Sequence, residues 1–124
     1  MKIELLINAN LTLKQFGDVK LSPRLAYKIM KFCVTARSDE EFYNAKKNEI
    51  INAYAIKDGN GNVIITDDGM INIMPDKISE ANYALQELNN VEVEAPNVRF
   101  TIDELAELKL SVSDMFALDP FIEE

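Results

Sequence analysis

Residues 22–56 read SPRLAYKIMKFCVTARSDEEFYNAKKNEIINAYAI, and how they fold decides the architecture of the chain. Ser22-Pro23 is a helix start: the Ser hydroxyl accepts from orphan backbone N–H groups, and Pro at the first helical position has no amide to waste. No Gly or Pro follows before Ile56. Leu25, Ile29, Phe32, Ala36, Tyr43, Ile50 and Tyr54 hold one face at about 100° per residue, interrupted only by Glu40 and Lys47. Such a helix is about 50 Å long at about 1.5 Å per residue. Ser38-Asp-Glu-Glu41 also has capping-box spacing, so a break near Arg37 is the alternative. The stripe keeps its phase across that point, which favours one helix.

Outward from this helix the chain reads as short elements. Lys2-Ile-Glu-Leu-Leu-Ile7 suggests a strand, and Leu11 to Val19, broken by Gly17, a helical turn and a loop. Asp58-Gly-Asn-Gly-Asn62 ends the long helix. It has a superficial likeness to a calcium loop but lacks the later bidentate Glu, so turn chemistry is the reading. Asp67-Asp68-Gly69 between Val63–Thr66 and Met70–Met74 predicts a β-hairpin. Pro75-Asp76 opens a second helix to Asn89, Val91–Glu94 reads as a strand edge, and Val98–Ile102 as a short extended run. Thr101-Ile-Asp-Glu104 is a capping box for a helix through Leu108, and Ser111 caps another over Val112–Leu118, ended by Pro120.

Leu11–Ser22 also aligns with Phe100–Ser111: both read apolar-Thr-apolar, two polar residues, apolar, two more, apolar-Lys-Leu-Ser. The match runs on through Tyr27 with Phe116, Ile29 with Leu118 and Phe32 with Phe121. The expectation is a pair of capped turn-and-helix units at the chain ends. The fold class that results is α+β in a single domain over 1–124: a long helix packed with a second helix, a small antiparallel hairpin sheet and the two repeated units.

Composition narrows the chemistry. With 124 residues, 48% hydrophobic and 27% charged, the chain has material for one core. It has no His and a single Cys, which removes His-dependent catalytic triads, the usual Cys/His zinc sites and an intrachain disulfide. Cys33, between Phe32 and Val34, reads as a small core residue. No cofactor, metal site or enzymatic activity is expected. No apolar run approaches about 20 residues and no basic-then-apolar segment opens the chain, so the expected location is the cytoplasm, including that of an infected cell.

Charge is unevenly distributed. The net charge is −8, yet residues 14–37 hold six basic residues and one acid, Asp18. Lys20, Arg24, Lys28, Lys31 and Tyr27 are the candidate binding residues. Arg24, Lys28 and Lys31, four and three apart, form one stripe beside the core face, and Tyr27 stands next to them. The stripe either flanks the core as a solvated edge paired with acids such as Glu123 and Glu124, or receives an anionic ligand or an acidic patch on a partner. Tyr27, Met30 and Val34 make a further apolar side of the same helix. Packing of Phe116, Leu118 and Phe121 against it is the expectation, and a docking surface the alternative.

Five runs together carry a family resemblance: Lys2-Ile-Glu-Leu5, Lys20-Leu-Ser-Pro-Arg-Leu-Ala-Tyr-Lys-Ile29, Lys57-Asp-Gly-Asn-Gly-Asn62, Glu87-Leu-Asn-Asn-Val-Glu-Val-Glu94 and Met115-Phe-Ala-Leu-Asp-Pro-Phe-Ile-Glu-Glu124. Over essentially its whole length the chain resembles a family of small proteins from phages and prophages of Gram-positive and gut bacteria. The family has no activity to carry over. The resemblance implies a viral or prophage origin and little more. With so few catalytic side chains, the expectation is an accessory protein that binds a host protein and inhibits a host defence or host process. Two alternatives stand beside it: a protein sequestering an anionic nucleotide signal on the basic helix face, and a virion (tail) or assembly component. The partner expected is a host protein, with a homo-oligomer possible and neither membrane nor nucleic-acid binding.

Overall fold

A computed structural model describes residues 1–123. The long helix is continuous: α2 runs Pro23–Tyr54 without a break at Arg37, and Ser22 Oγ accepts from the Leu25 amide at 3.4 Å. The two residues that interrupt its apolar stripe are both partnered. Glu40 accepts from Lys14 Nζ at 2.6 Å and from Asn10 Nδ2, and Lys47 Nζ lies 6.0 Å from the centre of the Tyr43 ring. Tyr43 in turn donates to Asn89 Oδ1 at 2.7 Å, tying α2 to the helix after it.

The first element is a helix and not the expected strand. α1 spans Ile3–Lys14, with Ile3, Leu6, Ile7, Asn10 and Leu13 buried. Those positions are spaced three and four apart, so the helical period was present but hidden by the unbroken apolar run Leu5-Leu6-Ile7. α1 packs on α2 and on the helix near the C-terminus. Beyond α2, a 3₁₀ turn at Pro75–Lys77 leads into α3, Ile78–Asn89. Then follow β1 (Phe100–Thr101), α4 (Ile102–Leu105), α5 (Val112–Leu118), a 3₁₀ turn at Asp119–Phe121 and β2 (Ile122–Glu123). Both expected capping boxes form, Thr101 with Glu104 and Ser111 with Asp114.

The sheet differs from the hairpin expected. β1 and β2 pair in parallel, with Phe100 opposite Ile122. The predicted hairpin region instead makes isolated antiparallel bridges, Ala55–Ile73, Lys57–Val63 and Ile65–Ile71, closed by tight turns in which Gly61 and Gly69 take positive φ. Turns recur so closely along this arm that no ladder extends past one pair. Val91–Glu94 likewise contributes only the bridge Lys2–Glu92, with Val93 N donating to Met1 O at 2.8 Å.

The two aligned segments part at their start: Leu11–Thr12 belongs to α1, whereas Phe100–Thr101 is a strand. From Leu13 and from Ile102 each runs through helix and turn to a Ser that caps the next helix, with Val19 N donating to Phe16 O at 3.1 Å and Leu108 N to Leu105 O at 3.0 Å.

The core lies where the first half of α2 meets α1, α5 and the β1–β2 pair. Phe32 is its centre: the Phe121 ring meets it edge-on at 4.8 Å and the Phe100 ring tilts against it at 6.4 Å, all three fully buried. Leu6, Leu13, Leu25 and Leu118 close around them. Every buried residue of α2 lies between Leu25 and Ala36, so its second half overhangs the core. Truncating Phe32 to Ala is expected to cost about 3–5 kcal/mol in denaturant unfolding, whereas Met30→Ala on the outer side should stay within about 0.5 kcal/mol.

Candidate functional site

Helical spacing divides the first half of α2 into three strips. Leu25, Ile29, Phe32 and Ala36 face the core. Opposite them stand Tyr27, Met30 and Val34, which are 58%, 49% and 50% exposed. The expected packing of the C-terminal aromatics against this side does not occur. Leu118 and Phe121 enter the core beside Phe32, and Phe116 points away at 77% exposure. The outer side of α2 is therefore an uncovered apolar strip, flanked by exposed Arg24, Lys31 and Arg37.

The basic stripe is not uniform. Lys28 Nζ donates to Glu104 Oε1 at 2.8 Å and to the Arg99 carbonyl at 2.9 Å, so its charge is committed to holding α2 on the β1–α4 corner. Arg24 Nε only faces Glu104 Oε2, at 3.8 Å, with its side chain 84% exposed. Lys20 and Lys31 are exposed and have no ion pair among the described residues. The stripe's acidic partner is thus Glu104 and not Glu123, while Glu124 lies outside the described residues. Glu104, which capping-box spacing alone marks in the sequence, does both jobs: Oε1 accepts from the Thr101 amide at 3.0 Å as well as from Lys28.

Beside the stripe lies a cleft of about 370 Å³ between α2 and the chain before β1, lined by Tyr27, Lys28, Lys31, Asn97, Arg99 and Glu123. Arg99 is turned inward, with Nη1 donating to the Pro96 and Val98 carbonyls at 3.1 and 3.0 Å and its guanidinium 5.5 Å from the centre of the Phe121 ring. Among the described residues Lys31 is the cation of that cleft whose side chain makes no hydrogen bond or ion pair, and Glu123 lines the same cleft. Sequence reasoning missed Asn97 and Arg99 because the parallel β1–β2 pairing, which has no local sequence signal, brings that segment to α2.

Cys33 lies partly buried against the core, lining a groove with Leu13, Phe16 and Met30. Burial pushes its thiol above the usual range; Lys14 and Arg37 oppose the shift, and Glu40 adds to it. A thiol so raised is a poor nucleophile at neutral pH. No family model, curated protein or solved structure matches this chain.

Glu104 sets a pH dependence. The Lys28 ammonium, followed by the Thr101 amide, holds its carboxyl below the ordinary glutamate range. A depressed folded-state value means the unfolded chain binds more protons. This contribution is full above about pH 4.3, the unfolded value, and is lost as pH falls through the folded value. The wild type is therefore expected to lose stability more steeply than Glu104→Gln on acidification below about pH 4.3, read by thermal unfolding. At neutral pH Lys28→Ala should cost about 1–3 kcal/mol by leaving Glu104 without its cation, and Lys31→Ala under about 0.5 kcal/mol.

Proposed function

We propose that this is a phage-encoded accessory protein that works without catalysis, by docking on a host protein and inhibiting a host defence or host process. The observation that supports this reading is the outer side of α2. There Tyr27, Met30 and Val34 stand uncovered between Arg24, Lys31 and Arg37, on a chain of net charge −8. Apolar residues rimmed by one sign of charge are the composition of a protein contact. The apolar strip supplies affinity, and the cations steer and select an acidic partner. An aromatic and an arginine at its edge are the residue types that dominate binding energy at interfaces. The viral origin rests on the resemblance of the whole chain to small phage proteins.

Sequestration of an anionic nucleotide draws less support. Lys28 and Arg99 are occupied by protein groups, and Glu123 puts a carboxylate into the same cleft. A virion or assembly component draws on a different feature: the arm over residues 55–74, which is rich in apolar residues and nearly devoid of buried ones.

The double variant Arg24→Glu with Lys31→Glu reverses two of the three cations of this face and spares Lys28. Affinity capture from bacterial lysate followed by mass spectrometry is expected to recover an acidic host protein with the wild type and to lose it with the variant. Equal recovery by both would sink the assignment of this face.

A further inference from the structure

The outer side of α2 continues past the strip of Tyr27, Met30 and Val34. Tyr27 and Ala45 stand 18 residues apart, as do Lys31 and Glu49, and Val34 and Asn52. That spacing is five full turns at about 3.6 residues per turn, so each pair shares one line along the helix. All six residues are exposed. α1 meets α2 through Glu40, α3 through Tyr43, and the arm over residues 55–74 beside Ile50. Those three positions lie on the far side with Phe32, so the outer face is open along its whole length.

Charge changes sign along this face. Arg24, Lys31 and Arg37 occupy its first half, and Glu41 and Glu49 follow beyond Ser38. Lys46 and Lys47 stand to the side and rear. Glu49 meets Lys46 Nζ at 3.3 Å in an exposed pair, which is worth little and leaves the carboxylate open to a second cation. Lys31, Arg37 and Glu41 have no ion pair among the described residues. A face basic at one end and acidic at the other repels a parallel copy of itself and attracts an antiparallel one.

The residue pattern fits that antiparallel contact layer by layer. In a two-fold antiparallel pair of helices, equal edges meet. With the axis between Asp39 and Glu40, Tyr27 lies on Asn52 of the second copy, Val34 on Ala45 and Ser38 on Glu41. Lys31 faces Glu49 twice along one edge, and Arg37 reaches Glu41 twice along the other. Ser38 and Ala45 are small enough to let the two backbones come close near the axis. Such a contact is self-complementary and closes at two copies. We infer that two copies of this chain pair through the outer faces of antiparallel α2 helices, with Lys31 of each on Glu49 of the other. The second copy then occupies the face proposed for host docking, a reading on which the consequence rests: self-association hides the face, and an acidic host partner competes for it.

Complementary charge reversal tests the pairing. Light scattering is expected to give the wild type twice the chain mass in concentrated solution. Lys31→Glu alone and Glu49→Lys alone should each dissociate about tenfold more readily, because both contacts of that edge become like-charged. An equimolar mixture of the two should return to the dimer mass, and so should the double variant Lys31→Glu with Glu49→Lys, whose net charge is unchanged. That recovery shows the variants folded and fixes the antiparallel sense, since a parallel pair sets Lys31 near Lys31. A wild-type monomer at every concentration up to its solubility limit overturns the inference, as does a dimer indifferent to either reversal or one that mixing or double reversal fails to restore. A mass above the dimer overturns the two-fold arrangement. Glu49→Lys keeps Arg24, Tyr27, Met30, Lys31 and Val34, so its capture of a host protein reads the proposed function separately from self-association.

Discussion

The structure hangs on the contact of Phe32 with Phe121 and Phe100. It joins the first half of the long helix to the last residues of the chain and to the strand they pair with. Two rings set edge-on and tilted against a third, all dry, give both buried area and a preferred geometry. Phe121 can reach that place only if the 3₁₀ turn at Asp119–Phe121 delivers it, and Ile122 then has one place to go, beside Phe100. The parallel pairing of two residues with two is too short to be stable alone and exists because the aromatic contact holds its ends.

That same contact explains the uncovered surfaces. Core material is concentrated around residues 25–36 of α2, and a helix of about 48 Å exceeds the breadth of a chain this size with a radius of gyration near about 14 Å. The second half of α2 must therefore overhang. Glu40 anchors it to α1 and Tyr43 to α3 through polar contacts, and the arm follows at its tip with little left to pack against. Exposure at the two ends of α2 thus has one cause.

Electrostatics then sorts the cations of the basic segment by role. Lys28, next to the core, is drawn to a carboxylate that the α4 capping box already holds in place, and its charge goes to architecture. Arg24, Lys31 and Arg37, farther round the helix, keep theirs for solvent or a partner. The division follows from angular position: Lys28 reaches Glu104 at 2.8 Å, Arg24 faces the same carboxylate only at 3.8 Å, and Lys31 and Arg37 stand exposed.

The sequence by itself determined the long uninterrupted α2, the three Ser and Thr caps, the second helix to Asn89 and the charge asymmetry. All of these depend on residues within a few positions of one another, where capping hydrogen bonds and the 3.6-residue period act. Local signals misread α1, because Leu5-Leu6-Ile7 suits a strand and a helix equally and only packing on α2 and α5 chooses. They also suggested a hairpin where turns crowd out the ladder. Tertiary structure alone decided that Phe121 fills the core while Phe116 does not, that Lys28 meets Glu104 across 76 residues, and that Tyr27, Met30 and Val34 stay bare. Those outcomes depend on which distant segments compete for the same buried volume, and no local pattern records the result of that competition.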